Sequence, residues 1–325
     1  MIDHPANDIS PERPLRLKVL RLAIEADAVV SLELGRADGG LLPVWQAGAH
    51  VDVLLTNGLV RQYSLCGDCA DRGTWKIAVL HVATGRGGSG FIHDNIRVGA
   101  ELLVTGVRNN FALVDADRYL FVAGGIGITP ILPMLESATR AGKPWRLVYG
   151  GRSRGSMAFL DRIKAYDAGG VELLPQDESG LIEVEALLEA LDPATPVYCC
   201  GPAGLIDAME DACQLWPSIK LYRERFAASG RAAEIDDGSF EVTLALSGRV
   251  IQVTSEQSLL SALEEAGCSI SNSCRAGICG TCLVKVLDGT PDHRDDLLDD
   301  EQRENGTMIL PCVSRSKSRH LVLEI

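Results

Sequence analysis

Four cysteines near the carboxy end have the spacing of sulfur ligands to iron. Cys274, Cys279, Cys282 and Cys312 read C-x4-C-x2-C, then 29 residues, then C. At that spacing four thiolates hold a 2Fe–2S cluster, each iron taking two protein sulfurs and two bridging sulfides. Gly277 and Gly280 lie inside the loop of the first three ligands, where a Cβ would hinder the wrapping that turns backbone N–H groups toward sulfur. A four-cysteine zinc site also uses C-x2-C pairs. Zinc ribbons usually show two such pairs, and here Cys312 stands alone. Among the other cysteines, Cys66 and Cys69 form a C-x2-C, but no thioredoxin-like helix follows them, so they read as inert thiols. Cys199, Cys213 and Cys268 read as core residues.

A second feature is the turn Val122-Ala-Gly-Gly-Ile-Gly-Ile-Thr-Pro130. It reads as a buried strand passing through Gly125-x-Gly127 into a helix, with Pro130 suited to the first helical position. Such a helix start offers free N–H groups and a positive dipole end to a pyrophosphate. The G-x-G-x-x-G fingerprint is not completed, and no acid follows about 20 residues on to hold a ribose. The next strand ends instead as Tyr149-Gly-Gly-Arg-Ser153, which suggests a nucleotide-binding sheet of another lineage. A third feature is Arg61-Gln-Tyr-Ser64. A strand that carries a cation beside Tyr-Ser calls for an anion to meet it.

The elements that must position these residues fall into three textures. From Leu15 to Val107 the chain reads as short strands. Leu15, Leu17 and Val19 alternate with polar neighbours, as do Val30, Leu32 and Leu34, and Val51–Leu55, Leu59–Leu65, Trp75–Val82 and Glu101–Val107 follow. Regular short strands with almost no helix predict a closed antiparallel barrel. From Tyr119 to Phe226 strands (Tyr119–Ala123, Arg146–Tyr149, Val171–Leu174, Val197–Cys200) alternate with helices near Ile131–Ala141, Met157–Tyr166, Val184–Leu191 and Leu205–Leu215. That alternation predicts an α/β doubly wound parallel sheet. Ala227 to Gly238 is small, polar and charged and reads as a linker. Beyond it lie a hairpin, Phe240–Leu246 with Val250–Thr254, and a helix with Leu259, Leu260 and Leu263 on one face. Thr254 and Gln257 stand at capping-box spacing before that helix.

With 325 residues the chain exceeds one ordinary core, so a multidomain protein is expected. The boundaries read as 11–113 for the barrel, 114–228 for the parallel sheet, 229–238 for the linker and 239–325 for the cysteine segment. A net charge of −13 disfavours nucleic acid, whose affinity rests on Lys and Arg neutralising phosphates. The uncharged run Tyr119–Leu135 carries three glycines and two prolines and is shorter than the roughly 20 apolar residues of a membrane span. Met1 to Ser10 has neither a basic nor an apolar signal region. Ten cysteines without such a signal point to a reducing compartment, so the cytoplasm is expected.

Arg61-Gln-Tyr63-Ser64, the Gly-Gly-Ile-Gly-Ile-Thr-Pro turn and Cys200-Gly201-Pro202 together resemble the ferredoxin–NADP reductase superfamily. With a plant-type ferredoxin segment at the carboxy end, the order is that of the phthalate dioxygenase reductase and vanillate O-demethylase reductase family. The likeness runs from about Leu15 to Ile325. It implies a flavin barrel, an NAD sheet and a β-grasp ferredoxin (α+β). Arg61 would meet the flavin phosphate, Gln62 would belong to the same strand motif, Tyr63 would cover the ring and the Ser64 hydroxyl would lie near flavin N5. Backbone groups of Ala78 and Leu80 would line the ring edge. Gly87, Gly88 and Ser89, opening a helix near Phe91–Ile96, resemble a second phosphate-binding element, and Phe226 resembles an aromatic stacked near the flavin. Gly125, Gly127, Thr129, Cys200, Gly201 and Pro202 would flank the dinucleotide, and Arg152 and Ser153 the adenosine ribose. Ser64 and Cys200 would be the residues nearest the reacting atoms.

The resemblance further implies FMN, NADH and a 2Fe–2S cluster, with electrons leaving for a terminal oxygenase that carries a Rieske centre and a mononuclear iron, in aromatic degradation. A monomer is expected. FAD with a different hydroxylase or epoxidase as acceptor remains open, as does a zinc-stabilised nucleotide-binding module. Arg152 and Arg154 leave NADH against NADPH unsettled. The acidic stretch Asp292–Glu304, with seven acids against two arginines, reads either as a solvated face or as a docking surface.

Overall fold

In the first strand Arg16 and Lys18 face solvent while Leu17 and Val19 are fully buried, so the period of two sets one barrel wall facing inward. The computed structural model describes residues 14–166, 170–228 and 238–325. The linker residues 229–237 and the first thirteen residues lie outside the described residues. Two compact units part after Glu224.

The first unit begins with β1 (Leu15–Ala26), β2 (Val29–Arg36), β3 (His50–Leu54), β4 (Val60–Ser64), β5 (Trp75–Leu80), α1 (Gly88–Asn95) and β6 (Glu101–Arg108). They form an antiparallel sheet of order β4-β3-β6-β1-β2-β5. A bridge from Leu65 to Ile77 and the bond from Cys66 N to Lys76 O, 2.8 Å, bring its two edges together. Leu17, Leu32, Leu34, Val51, Val53, Trp75 and Ile77 fill the barrel.

Next come β7 (Tyr119–Gly124), α2 (Ile128–Arg140), β8 (Trp145–Gly151), α3 (Leu160–Lys164), β9 (Val171–Pro175), α4 (Gln176–Ser179), α5 (Val184–Glu189), β10 (Val197–Cys200), α6 (Ala203–Leu215) and β11 (Leu221–Glu224). The strands are all parallel, in the order β11-β10-β7-β8-β9. β7 is buried along its whole length, as a strand covered on both faces must be. The direction of winding reverses between β7 and β10, the place where doubly wound sheets bind ligands.

Three expectations need correction. Pro130 is the third residue of α2, because a 3-10 turn at Gly125–Gly127 leads straight into Ile128; its missing N–H still falls in the turn that has no intrahelical acceptor. The helix read over Met157–Tyr166 shrinks to α3, since Phe159 takes a left-handed φ of 64° just before it. β11 was not read as a strand; it is a short edge strand with no clear alternation in its burial.

One apolar cluster joins Val29, Ala47, Cys66, Ala78 and Phe111 of the barrel to Phe121, Ile131, Leu135 and Tyr198 of the sheet. Tyr198 Oη accepts from Val114 N at 2.7 Å and donates to Ala112 O at 3.1 Å, while Arg162 donates to Cys66 O at 2.6 Å. Burying side chains of this size contributes about 1.5–3 kcal/mol each, so barrel and sheet are held in one fixed arrangement.

The second unit contains β12 (Phe240–Leu244), β13 (Arg249–Val253), α7 (Leu259–Glu265), β14 (Val284–Asp288), β15 (Pro291–Asp292), α8 (Asp300–Asn305), β16 (Met308–Ile309), β17 (Arg315–Ser316) and β18 (His320–Leu323). Its mixed sheet, β13-β12-β18-β14-β16, has β12 and β18 parallel at the centre, and α7 buries Leu259 and Leu263 in the core beneath it. The cap of α7 is Ser258, whose Oγ accepts from Ser261 N at 3.0 Å. Thr254 and Gln257 bond to each other at 2.9 Å one turn earlier, so the expected capping box is a loop contact.

Candidate active site and metal centre

At the switch point two glycine loops close on each other. A Cβ at Gly127 would lie 2.2 Å from the Cys200 carbonyl oxygen, and one at Gly201 would lie 3.0 Å from the backbone of Gly124. Only glycine lets the turns after β7 and β10 approach this closely, which is why Gly-Gly-Ile-Gly and Cys-Gly-Pro occur together. Thr129 is buried, and its hydroxyl donates to Ile126 O at 2.9 Å. Tyr149 Oη donates to Gly125 O at 3.1 Å, bracing the loop from β8. Cys200 is fully buried, and burial holds its thiol well above the ordinary range. It therefore offers bulk and polarisability at the mouth of the sheet, not a thiolate. Arg152 and Ser153 follow β8 at the same rim.

On the barrel side, Arg61 is held by two carbonyls. It donates to Val60 O at 2.8 Å and to Arg86 O at 2.5 Å. Neither acceptor neutralises its charge. A Cβ at Gly88 would lie 2.4 Å from Arg61 Nε, so the guanidinium lies across the start of α1. Gly87 caps that helix in the left-handed region with φ 79°, and Ser89 Oγ accepts from Val82 N at 3.1 Å. Arg61, Arg86 and a helix N-terminus together make a cationic cradle that could hold a phosphate. Tyr63 is half-buried beside the barrel core, and burial pushes its phenol up to about 12. Gln62, on the opposite face of β4, is committed to Asp52 at 3.0 Å. Ala78 pairs with Ser31 and Leu80 with Val29 across β2. Beyond Ile77 the other edge of β5 meets no strand among the described residues, which leaves backbone groups of Ala78 and Leu80 for a ring edge.

Strand register then brings four polar side chains together. His50 stands opposite Ser64 in the β3–β4 pair, and Cys200 opposite Glu224 in the β10–β11 pair. The two pairs meet with His50 Nδ1 3.8 Å from Glu224 Oε1, too far for a direct hydrogen bond. Both ring nitrogens of His50, the Ser64 hydroxyl and Glu224 Oε2 are buried with no well-formed protein partner. Orphaned buried polar atoms cost about 1–3 kcal/mol each, so this concentration marks a place built for a polar ligand edge. Burial pushes the Glu224 carboxyl up to about 8, against the nearby Ser64 hydroxyl. Burial also pushes the His50 imidazole down to about 4, helped by the Arg108 charge and opposed by Asp52. Arg108 is itself paired with Asp52 at 2.7 Å. Near neutral pH the wall is uncharged. A cation cradle at one end and orphaned donors and acceptors at the other fit a flavin. The sequence reading missed His50 and Glu224; an acid two residues before Phe226 was the available signal. Phe226 is 42% exposed and belongs to the second unit, which begins at Arg225.

In the second unit the ligand loop is preformed. Ala276 N donates to Cys274 Sγ at 3.3 Å, and Thr281 N to Cys279 Sγ at 3.5 Å. Arg275 takes a left-handed φ of 50° and is held there by Asn272 at 2.9 Å and Glu264 at 2.6 Å. A Cβ at Gly277 would lie 2.7 Å from Val313. The thiols meet two by two, Cys274 with Cys279 and Cys282 with Cys312. Two pairs are the donor set of a two-iron centre, one pair to each iron. The neighbouring acids separate by burial. Asp292 and Asp295 are buried, whereas Asp299, Asp300, Glu301 and Glu304 are exposed on and before α8.

Comparison with known proteins agrees with both halves. The oxidoreductase NAD-binding domain matches residues 121–211, and the 2Fe-2S iron-sulfur cluster binding domain matches residues 242–317. Vanillate O-demethylase oxidoreductase of Pseudomonas sp. (strain HR199 / DSM 7063) is 41% identical over 94% of this chain and 98% of its own length. The structure of phthalate dioxygenase reductase, described as a modular structure for electron transfer from pyridine nucleotides to [2Fe-2S], matches at 36% identity with TM-score 0.70 over 96% of this chain and 98% of that one. An intact type IV self-sufficient cytochrome P450 monooxygenase matches at 41% identity with TM-score 0.89 over 96% of this chain, which spans 41% of that longer one. The chain therefore belongs to the phthalate dioxygenase reductase-like family of NAD(P)H-dependent flavin iron–sulfur oxidoreductases.

Proposed function

We propose that this protein is the reductase component of a multicomponent oxygenase, taking hydride from NADH and delivering single electrons through a 2Fe–2S centre to a terminal oxygenase with a Rieske centre and a mononuclear iron. One observation carries the reading: a two-electron nucleotide site and a one-electron cysteine site lie on the same chain. A flavin supplies the conversion between the two when bound, because it exchanges electrons in pairs or singly. The chain's own residues bind and orient. Arg61, with Gly87, Gly88 and Ser89, would hold the phosphate, and Tyr63, Ala78, Leu80 and Phe226 would border the ring. Ser64 and Cys200 would stand at the contact between ring and nicotinamide. Gly125, Gly127, Thr129, Gly201 and Pro202 would shape the dinucleotide loop, with Arg152 and Ser153 at the ribose. Contact geometry, more than acid–base chemistry, would set the rate. The barrel's connections carry one short helix, α1, and no insertion among the described residues that would seat an adenine, which supports FMN.

The domain boundaries 11–113, 114–228 and 239–325 go with this reading, as does a monomer. Among the described residues no helix is long and apolar enough to cross a membrane. Acid extraction of purified protein should release FMN and acid-labile sulfide, and NADH should bleach the visible bands of both. Release of FAD would redirect the reading toward a different hydroxylase or epoxidase. Colourless protein holding zinc would end it.

A further inference from the structure

The residues that follow the second strand of a doubly wound sheet decide what happens at the adenosine ribose. An acid there accepts from the 2′-hydroxyl, and an arginine meets a 2′-phosphate. Here β8 is followed by Arg152 and Arg154, which by charge alone describe a phosphate site. The structure takes one of them away. Arg154 Nε donates to Glu178 Oε1 at 2.9 Å and to Oε2 at 3.0 Å, and its Nη2 donates to Oε2 at 2.9 Å. The Nε–Nη2 edge of the guanidinium is occupied by one carboxylate.

Glu178 lies on α4, which follows the neighbouring strand β9. That turn is tied to the ribose loop, since Asp177 N donates to Arg152 O at 3.2 Å. Asp177 adds its charge beside Arg154. The barrel contributes another acid: Asp27 N donates to Gly155 O at 2.8 Å, and a Cβ at Gly155 would lie 2.6 Å from Asp27 Oδ2. Two arginines thus meet three acids (Asp27, Asp177 and Glu178) around one loop. A 2′-phosphate would find the bidentate Nε–Nη2 edge of Arg154 taken and would sit against the Glu178 charge, whereas a 2′-hydroxyl needs neither arginine.

We infer that Glu178 is the residue that makes this site select NADH over NADPH, by occupying Arg154 and by repelling a 2′-phosphate. The inference rests on the nucleotide-site reading above and names its discriminating residue. An exposed ion pair of this kind contributes little to stability, so substitutions here report on recognition and not on folding.

The test uses the full, cofactor-loaded chain with ferricyanide as acceptor. The ratio of kcat/KM for NADPH to that for NADH is compared in wild type, Glu178→Gln, Arg154→Gln and the double variant. Binding of 2′,5′-ADP is measured in parallel by calorimetry. Glu178→Gln should raise the ratio about tenfold or more and tighten 2′,5′-ADP by a similar factor, the scale of one relieved like-charge contact with one freed fork. The double variant should lose the gain, because Arg154 supplies it. Normal NADH turnover with an unchanged ratio and unchanged 2′,5′-ADP binding in Glu178→Gln would overturn the inference alone. Oxidation of neither nucleotide by wild type would overturn the nucleotide reading beneath it.

Discussion

Glu224 keeps its proton up to about pH 8 in the folded unit, whereas an exposed glutamate loses it near 4.5. The folded state therefore binds more protons across that window, and stability is lost as pH rises through it, at up to about 1.4 kcal/mol per pH unit. His50 acts in the opposite sense. Its imidazole is neutral above about 4 when folded, against an ordinary value of 6.5, so it makes stability rise with pH up to 6.5 and nothing more above that. Between pH 6.5 and 8 only the Glu224 contribution remains. Glu224→Gln should thus gain on wild type across this interval, with the Tm difference of the first unit growing by about 3 °C or more. A difference that stays constant from pH 6.5 to 8 would show that the carboxyl ionises as if exposed. Sequence alone did not reveal either residue, because each acquires its environment from another strand: His50 from Ser64 and Arg108, Glu224 from Cys200. The cysteine ligands were legible because three of the four lie within nine residues and need only one loop to converge.

At the scale of elements, two glycines predict different failures from similar crowding. A Cβ at Gly127 would meet backbone, the Cys200 carbonyl at 2.2 Å, and two strand ends would have to part to admit it. Gly127→Ala should therefore cost about 1–3 kcal/mol and raise KM for NADH several-fold, read by thermal unfolding and steady-state kinetics together; wild-type values in both would contradict the packing described. A Cβ at Gly88 would meet the flexible Arg61 side chain, at 2.4 Å from Nε. The arginine can swing away at little cost to the fold, but it then leaves the cradle. Gly88→Ala should keep Tm within a degree or two while weakening FMN binding about tenfold, measured by fluorescence titration of stripped protein. Retention of flavin at wild-type affinity would remove Arg61 from the phosphate site. Strand positions such as β1 were legible from the alternation of Leu17 and Val19 with Arg16 and Lys18, since half-buried strands must alternate. The start of α2 and the cap of α7 were not, because a 3-10 turn and a serine one residue before the helix compete locally with equally plausible signals.

At the scale of the whole molecule, electrons must leave one at a time toward another protein, and the acidic stretch of the second unit is the surface proposed for that encounter. Of the seven acids between Asp292 and Glu304, Asp292 and Asp295 are spent internally: Asp292 on Arg294 at 2.7 Å and Asp295 on the N–H groups of Leu297 and Leu298 at 3.1 and 2.8 Å. Asp299 caps α8 by accepting from Gln302 N at 2.8 Å. Asp300, Glu301 and Glu304 are exposed and have no structural bond to lose. Converting these three to amides should leave the fold and the NADH–ferricyanide reaction intact. Reduction of the oxygenase partner should slow, chiefly through the association rate. In wild type that rate should fall steeply as salt rises from about 0.05 to about 0.5 M, since the Debye length shrinks to a few ångströms over that range, and in the triple variant the dependence should be shallower. Stopped-flow reduction of the partner at several ionic strengths measures both slopes. Equal slopes in the two proteins would place the docking surface elsewhere on the molecule, and a wild-type rate indifferent to salt would mean that the encounter is not steered by charge.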